Sequence, residues 1–190
     1  MSMQGLFNVL SGFHALSDDF KKALEKEVVV VTLPKDESLL KVPKISSHAY
    51  FLEDGFAISY SYYEGRKVTE NFWRPGQIIV SLASFFLQKP SLETIQLLRT
   101  STLLCISFDS VMALMETYPE ARRIALSVTI VHHEESRVRI RDLQHLSASQ
   151  RFRRLIKEYP GIELIASQDA ISTYLGITAQ SMARMKRELE

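Results

Sequence analysis

The side chains with the most specific chemistry in this sequence lie near its end, and they are Gln180, Ser181, Arg184 and Arg187. Helical spacing places them away from Met182 and Met185, which would pack inwards on the apolar side of the same helix. A glutamine amide both donates and accepts hydrogen bonds, and an arginine guanidinium donates a fork of them. Such a surface suits the base edges and phosphates of a DNA major groove.

The preceding residues predict the elements that would present this surface, which are two helices joined by a tight turn. Ser167 is a favoured N-cap residue, with Asp169 in the first turn where a negative charge suits the helix dipole. Gly176 can leave the first helix with positive φ, and Thr178 can cap the second. The pattern is typical of a helix-turn-helix. Two short amphipathic helices around a glycine also occur in domains that never bind DNA, so the rest of the chain must decide.

Composition predicts a globular protein with an uneven charge distribution. The 190 residues are 46% hydrophobic, enough for a proper core in one or two domains, and the net charge is +1. From Arg137 onward there are ten basic residues and six acidic ones, so the basic excess lies with the predicted helix-turn-helix, where phosphate binding would need it. The excess is modest, which favours a dimer as the DNA-binding unit.

Cysteine and histidine usage argues against metal, cofactor and catalytic sites. The single cysteine, Cys105, lies in an apolar run that predicts a buried strand. Disulfides, iron–sulfur clusters and structural zinc are therefore not expected, and a redox role would require an exposed thiol. The run 132–135 (HHEE) lacks the spaced histidine pair of zinc peptidases and is predicted to be solvated helix. A cupin-like enzyme would need several histidines on strands, but only His48 lies near them, so we expect no enzyme.

The middle of the chain predicts antiparallel β structure. After two short helical stretches, strand-like segments separated by turn residues occur at 28–31, 49–52, 56–63, 68–73, 78–82, 92–98 and 102–108. Turn glycines between short alternating strands favour an antiparallel barrel, roll or sandwich. No run of about 18 apolar residues is present and the N-terminus lacks a signal-peptide pattern, so we expect a cytoplasmic protein with no membrane partner.

A helical period follows the strands. Asp109 is expected to cap a short helix, and Pro119 suits the first turn of a long helix running to about residue 146. The apolar positions that recur along this long helix include Ile124, Val128, Val131 and Val138. They predict either a two-helix dimer seam or packing on the helix's own domain. Residues 147–159 predict a further amphipathic helix, the third helix that a helix-turn-helix domain needs for a core.

A β-roll, a long helix and a C-terminal helix-turn-helix, in that order, resemble the Crp/Fnr family of bacterial transcription regulators. The most similar stretches are AYFLEDGFAISYSYYEGRKVTENFWRPGQ, LSASQRFRRLIKEYPGIE and ISTYLGITAQSMARMKRE. The resemblance implies an α+β protein with a jelly-roll-like sensor of the cyclic-nucleotide-binding fold (1–108), a short helix plus a long dimerisation helix (109–146) and a winged-helix/helix-turn-helix domain (147–190). It also implies a homodimer on a palindromic operator in double-stranded DNA, and it allows contact with RNA polymerase.

By the same resemblance, the DNA-binding residues would be Ser167, Thr178, Ala179, Gln180, Ser181, Arg184, Lys186 and Arg187. Arg184 matches the arginine of the family's recognition helix and can contact guanine or phosphate. Gln180 stands where many members have glutamate, so the preferred base would differ. Ala179 offers only apolar contact, whereas Lys186 and Arg187 suit phosphate.

The resemblance also implies an effector pocket in the β-roll, at Gly76, Gln77, Ser81, Leu92, Glu93 and Thr94. Cyclic-nucleotide binders of the family hold the ribose with a glycine–glutamate pair and the phosphate with an arginine. This chain has no arginine between Arg74 and Arg99, and Glu93 would bring a negative charge close to a cyclic phosphate. We therefore expect an unidentified effector other than cyclic AMP. The alternative is a small-molecule-binding β-roll protein whose helix-turn-helix no longer binds DNA.

Overall fold

In the sequence, helices precede and follow a β-roll. The computed structural model describes residues 3–189. Its strands are β1 (Val29–Leu33), β2 (Ser38–Leu40), β3 (His48–Asp54), β4 (Ala57–Tyr63), β5 (Arg66–Trp73), β6 (Ile78–Ile79), β7 (Thr94–Leu97) and β8 (Ser101–Ser107). Its helices are α1 (Gln4–Phe13), α2 (Asp18–Glu27), α3 (Leu82–Leu87), α4 (Phe108–Thr117), α5 (Pro119–His145), α6 (Ala148–Glu158), α7 (Ile162–Ile165), α8 (Gln168–Tyr174) and α9 (Ala179–Leu189).

Two four-stranded antiparallel sheets form the roll. The first sheet has the order β1-β8-β3-β6 and the second has the order β2-β7-β4-β5. Alternating residues of the strands turn their apolar side chains into the space between the sheets, where Leu52, Ile79, Leu97 and Leu103 are each 0% exposed. The antiparallel β fold that the turn pattern favoured is therefore confirmed.

The tight turn between β3 and β4 depends on Gly55. Its φ is +123°, a conformation that residues with a side chain rarely adopt. A Cβ at this position would overlap the side chain of Ser101 and lie 2.9 Å from the Ser101 Cα. The turn can therefore approach the start of β8 only because it has no side chain.

One predicted strand is shorter in the structure, and one strand of the structure was not predicted. The predicted strand 78–82 is reduced to the two residues of β6, because Leu82 begins α3. Helix α3 is held in place by Ser84, whose hydroxyl accepts from the Ser46 amide at 2.9 Å and donates to the Lys89 carbonyl at 2.7 Å. Strand β2 was not expected, because its three residues are too few to show an alternating pattern.

The N-terminal helices, α4 and the first half of α5 pack against the first sheet. Their shared core contains Leu6, Leu10, Phe20, Leu24, Phe51, Leu104, Leu114, Ala121, Ile124 and Val128. Helix α4 is capped by Ser107, whose hydroxyl accepts from the Ser110 amide at 3.0 Å. The predicted cap, Asp109, lies instead in the first turn of α4, where its charge suits the helix dipole.

Helix α5 has the predicted length, but its exposed apolar face is not the predicted one. Ile124 and Val128 are buried in the core of their own protomer. The opposite side of the helix carries Leu126, Ile130 and Ile140, which are 61%, 52% and 55% exposed. With His133 and Arg137 between them, these residues follow the alternating four- and three-residue spacing of a coiled-coil seam. We call these five residues the α5 stripe.

The C-terminal helices α6 to α9 pack as one unit directly on the roll. Their shared core contains Ile58 and Phe72 of the roll together with Phe152, Leu155, Ile162, Ile171, Leu175 and Met182. Helix α6 starts with a capping box, in which Ser147 and Gln150 each accept from the other's amide. All regular elements within residues 147–189 are helices, so this described part carries no strands of a wing. Nowhere in residues 3–189 is a helix both long and apolar enough to cross a bilayer.

Candidate DNA-binding surface and effector cleft

The helix-turn-helix is formed by α8 and α9. At the start of α8, the Ser167 hydroxyl accepts from the Ala170 amide at 3.1 Å. At the start of α9, the Thr178 hydroxyl accepts from the Ser181 amide at 3.1 Å. Gly176 lies between the two helices with a φ of +67°. Both predicted caps and the turn glycine are confirmed, because each depends only on residues close to it in sequence.

Helix α9 turns most of the predicted DNA-binding residues to solvent. The exposed ones on this side are Thr178, Ala179, Gln180, Arg184 and Arg187. Ser181 is half-buried, and its hydroxyl accepts from that of Thr178 at 3.0 Å. Lys186 is also half-buried and pairs with Glu163 of α7 at 2.5 Å. Ser167 is exposed at the start of α8, where its hydroxyl serves as the cap.

Strand β5 is tied to the helix-turn-helix unit by side-chain contacts. The Tyr159 hydroxyl of α6 donates to the Phe72 carbonyl at 3.0 Å. The Thr69 amide donates to the Thr173 hydroxyl of α8 at 3.2 Å. The rings of Phe72 and Tyr174 also pack together, with their centroids 5.0 Å apart. One strand of the roll therefore contacts two helices of the C-terminal unit.

Arg139 of α5 joins the same three parts of the molecule. Its Nη2 atom donates to the Thr69 carbonyl at 3.1 Å and to the Tyr174 carbonyl at 3.2 Å. The guanidinium carbon lies 4.2 Å from the centroid of the Tyr174 ring, a cation–π contact. Burial lowers the pKa of Arg139, while Tyr174, Glu70 and Tyr159 act in the opposite direction. No sequence motif marks this residue, because its partners come from β5 and α8.

A cleft of about 1410 Å³ lies between the second sheet, the second half of α5 and the helices α6 and α8. Of the predicted pocket residues, Glu93 lines this cleft. Ser81 reaches it indirectly, since its hydroxyl donates to the Glu93 carboxylate at 2.8 Å. Leu92 is 86% exposed and does not line the cleft. Val131 and Val138, which were predicted as seam residues, line it from α5.

The remaining predicted pocket residues make contacts outside the cleft. Gly76 occupies a turn with a φ of +89°. Gln77 accepts from the Arg74 amide at 2.9 Å, and Thr94 accepts from the Val42 amide at 3.3 Å. Ser59, a buried residue of β4, also lines the cleft and was not predicted. Only the pairing of β4 with β7 brings it near Glu93, and one serine in an alternating strand gives no signal of that pairing.

Comparison with known proteins places this geometry in a family. Residues 30–118 match the Cyclic nucleotide-binding domain family. The structure of FixK2 from Bradyrhizobium japonicum is 18% identical, with coverage of 85% of this chain and 84% of that one and a TM-score of 0.72. A protein from Eubacterium rectale, described as a transcriptional regulator of the Crp/Fnr family, is 16% identical, with coverage of 92% and 83% and a TM-score of 0.73. The chain therefore shares the fold of these proteins over most of its length.

The Thermus thermophilus catabolite activator protein also shares the Crp/Fnr fold. It is 14% identical, with coverage of 95% of this chain and 86% of that one and a TM-score of 0.60. No curated protein matches by sequence. The matched cyclic nucleotide-binding domain begins in β1 and ends after α4, so it contains the roll and the Glu93 side of the cleft but none of α5.

The Glu93 carboxyl is half-buried and has no basic partner within residues 3–189. No lysine, arginine or histidine among the described residues forms an ion pair with it. Burial raises the pKa of Glu93, the hydroxyls of Ser81 and Ser59 lower it, and the negative charge of Glu70 raises it further. Burial is the largest of these effects, so the carboxylate form is disfavoured in the folded protein.

Replacing Glu93 by glutamine is expected to stabilise the protein at neutral pH. A carboxyl with a raised pKa holds its proton more tightly when folded, so its contribution to stability falls as the pH rises above the ordinary value of 4.5. Glutamine keeps an acceptor for Ser81 and removes the charge. Thermal unfolding between pH 4.5 and 8 should show the wild type losing stability relative to Glu93→Gln. The same pH dependence in both proteins would contradict this, and Glu116→Gln, at an exposed residue of α4 outside the cleft, is the control.

Two further predictions concern residues that could bind metal or react with oxidants. His132 is half-buried rather than solvated; burial lowers its pKa and a hydrogen bond with the Ile78 backbone raises it. Its neighbours His133 and Glu134 are exposed, as predicted. Burial also raises the pKa of the Cys105 thiol, which disfavours the reactive thiolate. In the described part of the chain, no three metal-ligating side chains converge.

Proposed function

We propose that this protein is a homodimeric, sequence-specific DNA-binding transcription regulator of the Crp/Fnr type. The observation that carries the proposal is the exposed outer side of α9, where Gln180 and Arg184 lie on a helix held from behind by Met182 and Met185. The Eubacterium rectale relative, described as a transcriptional regulator, has the same fold over most of its length. The partners would be double-stranded DNA, a second copy of the chain, an effector in the cleft and, through the family's mode of action, RNA polymerase.

Replacing Arg184 by alanine is expected to weaken binding to an operator by roughly tenfold to a hundredfold, because one good arginine contact with a base discriminates by about 1–3 kcal/mol. Fluorescence anisotropy with DNA from upstream of the gene, and with a scrambled duplex, would measure this at two salt concentrations. Arg122→Ala, at an exposed arginine of α5, is the matched control and should leave the preference unchanged.

The alternative makes a different prediction in the same assay. If the protein binds a small molecule but no longer reads DNA, binding to both duplexes will be weak and steeply salt-dependent, and Arg184→Ala will behave like the wild type. A preference for the upstream DNA that is lost only in Arg184→Ala would support the regulator. Equal binding of the wild type and Arg184→Ala to the upstream DNA would argue for the alternative.

The α5 stripe is the proposed dimer seam. Apolar Leu126, Ile130 and Ile140 are exposed on one side of a 27-residue helix, and burying such a stripe against its two-fold copy would remove it from water. His133 and Arg137 interrupt the apolar pattern, and polar residues at seam positions specify register and partner number at some cost in stability. The first half of α5 is packed in the core of its own protomer, which would hold the helix in place for pairing with its copy.

Replacing Leu126 by glutamate is expected to weaken the dimer by roughly tenfold or more, because an exposed apolar anchor becomes a charge that faces its own copy across the two-fold axis. Sedimentation equilibrium over a range of protein concentrations would measure the change. Leu164→Glu is the matched control, since Leu164 is 93% exposed on α7 and lies outside the stripe. A Leu126→Glu protein that dimerises like Leu164→Glu would rule out this seam.

A further inference from the structure

Three polar side chains from different segments of the roll meet beside the cleft. Ser59 lies on β4, Ser81 precedes α3 and Glu93 precedes β7. The Ser81 hydroxyl donates to Glu93 Oε1 at 2.8 Å. Ser59 is paired across the sheet with Ile95, which is two residues beyond Glu93 and therefore on the same face of β7. We call these three side chains the Glu93 cluster.

The Glu93 cluster has hydrogen-bonding capacity that the described residues do not use. Ser59 is 0% exposed and lines the cleft, and its hydroxyl forms no hydrogen bond with them. That hydroxyl is near enough to lower the pKa of Glu93, but it lies outside hydrogen-bond geometry. The second carboxylate oxygen, Oε2, has no hydrogen bond or ion pair within residues 3–189. A buried hydroxyl without a partner, such as that of Ser59, is costly, so it indicates a ligand that forms a hydrogen bond with it.

The surface next to the Glu93 cluster is apolar. Trp73 and Val80 line the cleft from the roll and are 4% and 7% exposed, and Leu82 lines it beside them. Arg139 is a cleft residue too: its Nη2 donates to the Thr69 and Tyr174 carbonyls, its Nε is buried without a partner, and it forms no ion pair with Glu93. The site therefore combines an indole ring and aliphatic groups with a carboxylate that forms no ion pair with the described residues.

We propose that the effector of this protein is a small organic cation, with an ammonium group bound by Glu93 and Ser59 and an apolar body packed on Trp73. This inference rests on the proposed function, because it treats the cleft as the effector site. An ammonium donates to the carboxylate and to the Ser59 hydroxyl together, and its charge offsets that of Glu93.

Other ligand classes fit the site less well. A neutral alcohol of the same shape would fill the same volume but leave the carboxylate without a counter-charge. Basic residues of α5 and α6 also line the cleft, but an anion placed at the Glu93 cluster would face Glu93, with Glu70 on the same side, and would be repelled by both. The cluster therefore predicts that binding decreases from ammonium to alcohol to carboxylate when the apolar body is held constant.

Intrinsic fluorescence can test this order directly, because Trp73 is the only tryptophan in the chain and lines the cleft. The full-length protein would be titrated with 2-phenylethylammonium, 2-phenylethanol and 3-phenylpropanoate. We expect a saturable change with the ammonium, binding at least about tenfold weaker with the alcohol, and none with the carboxylate. Glu93→Gln should weaken ammonium binding by at least about tenfold, while Glu116→Gln, at an exposed residue of α4 outside the cleft, should change it by less than about twofold.

Several outcomes would overturn the proposal. They are equal binding of ammonium and alcohol, tighter binding of the carboxylate, unchanged ammonium binding in Glu93→Gln, and no saturable change up to about 10 mM ammonium. If Glu93→Gln failed to fold, the relative affinities of the wild type for the three probes would still test the proposal. The titration contains no DNA, so a negative result counts against the ligand class alone. The anisotropy assay with Arg184→Ala tests the regulator separately.

Discussion

Replacing Arg139 by methionine is expected to lower the free energy of unfolding by about 2–4 kcal/mol, because two hydrogen bonds from a charged donor, about 1.5–3 kcal/mol each, are lost while the cost of burying the guanidinium is removed. Methionine has a similar length and fills the space, but it donates to neither the Thr69 nor the Tyr174 carbonyl. The cation–π contact with the Tyr174 ring is lost as well. The loss falls on the junction of β5, α5 and α8, so the C-terminal unit should detach from the roll more readily. Urea unfolding followed by Trp73 fluorescence would measure the change.

The control for this experiment lies two residues further along the same helix. Arg141 is exposed, so Arg141→Met removes the same charge from α5 without touching the junction, and its effect should stay within about 0.5 kcal/mol. Equal effects of the two substitutions would show that the charge of the helix, rather than the carbonyl bonds, determines stability here. Because Arg139 also lines the cleft, we expect Arg139→Met to make DNA affinity less dependent on the effector.

Replacing Gly55 by alanine is expected to lower the free energy of unfolding by at least about 3 kcal/mol, since backbone strain and overpacking each contribute about 1–3 kcal/mol. The added Cβ would have to displace Ser101, including its Cα at 2.9 Å, and so shift the start of β8 in the centre of the first sheet. A side chain at a φ of +123° is strained even without that clash. Thermal unfolding by circular dichroism would measure the loss.

Gly65 offers a matched control for the same substitution. It lies in the turn between β4 and β5, has a φ of +77° and has no atom within 4 Å of where its Cβ would be. Gly65→Ala therefore adds only the strain of the left-handed backbone, about 1 kcal/mol. If Gly55→Ala were no more destabilising than Gly65→Ala, the close approach to Ser101 would not constrain the turn.

The features that the sequence predicted well are those determined by near neighbours. The caps at Ser167 and Thr178 and the turn at Gly176 each depend on residues within a few positions. The inward side of α9 follows from helical spacing alone, as Met182 and Met185 show. For the same reason the long helix could be placed from Pro119 at its first turn.

The features that the sequence could not predict depend on contacts between distant segments. Ile124 and Val128 have the spacing of a dimer seam, yet they are buried because α1, α4 and the first sheet pack on that side of α5. Periodicity identifies an apolar face of a helix, but it does not show which of two apolar faces is buried within the protomer. Arg139 and Ser59 were not predicted for a related reason. Their partners lie on distant segments, which come together only in the folded protein.

Helix α5 is one continuous helix, but its two halves are stabilised by different contacts. The first half, anchored by Ala121, Ile124 and Val128, is as stable as the protomer that buries it. The second half is held in the protomer by Arg139 but also carries Ile130 and Ile140 on its outer side, so under the proposed dimer part of its stability depends on how much of the protein is paired. Under the proposed function, dilution would then loosen one wall of the cleft, and DNA binding would respond to the concentration of the protein as well as to its ligand.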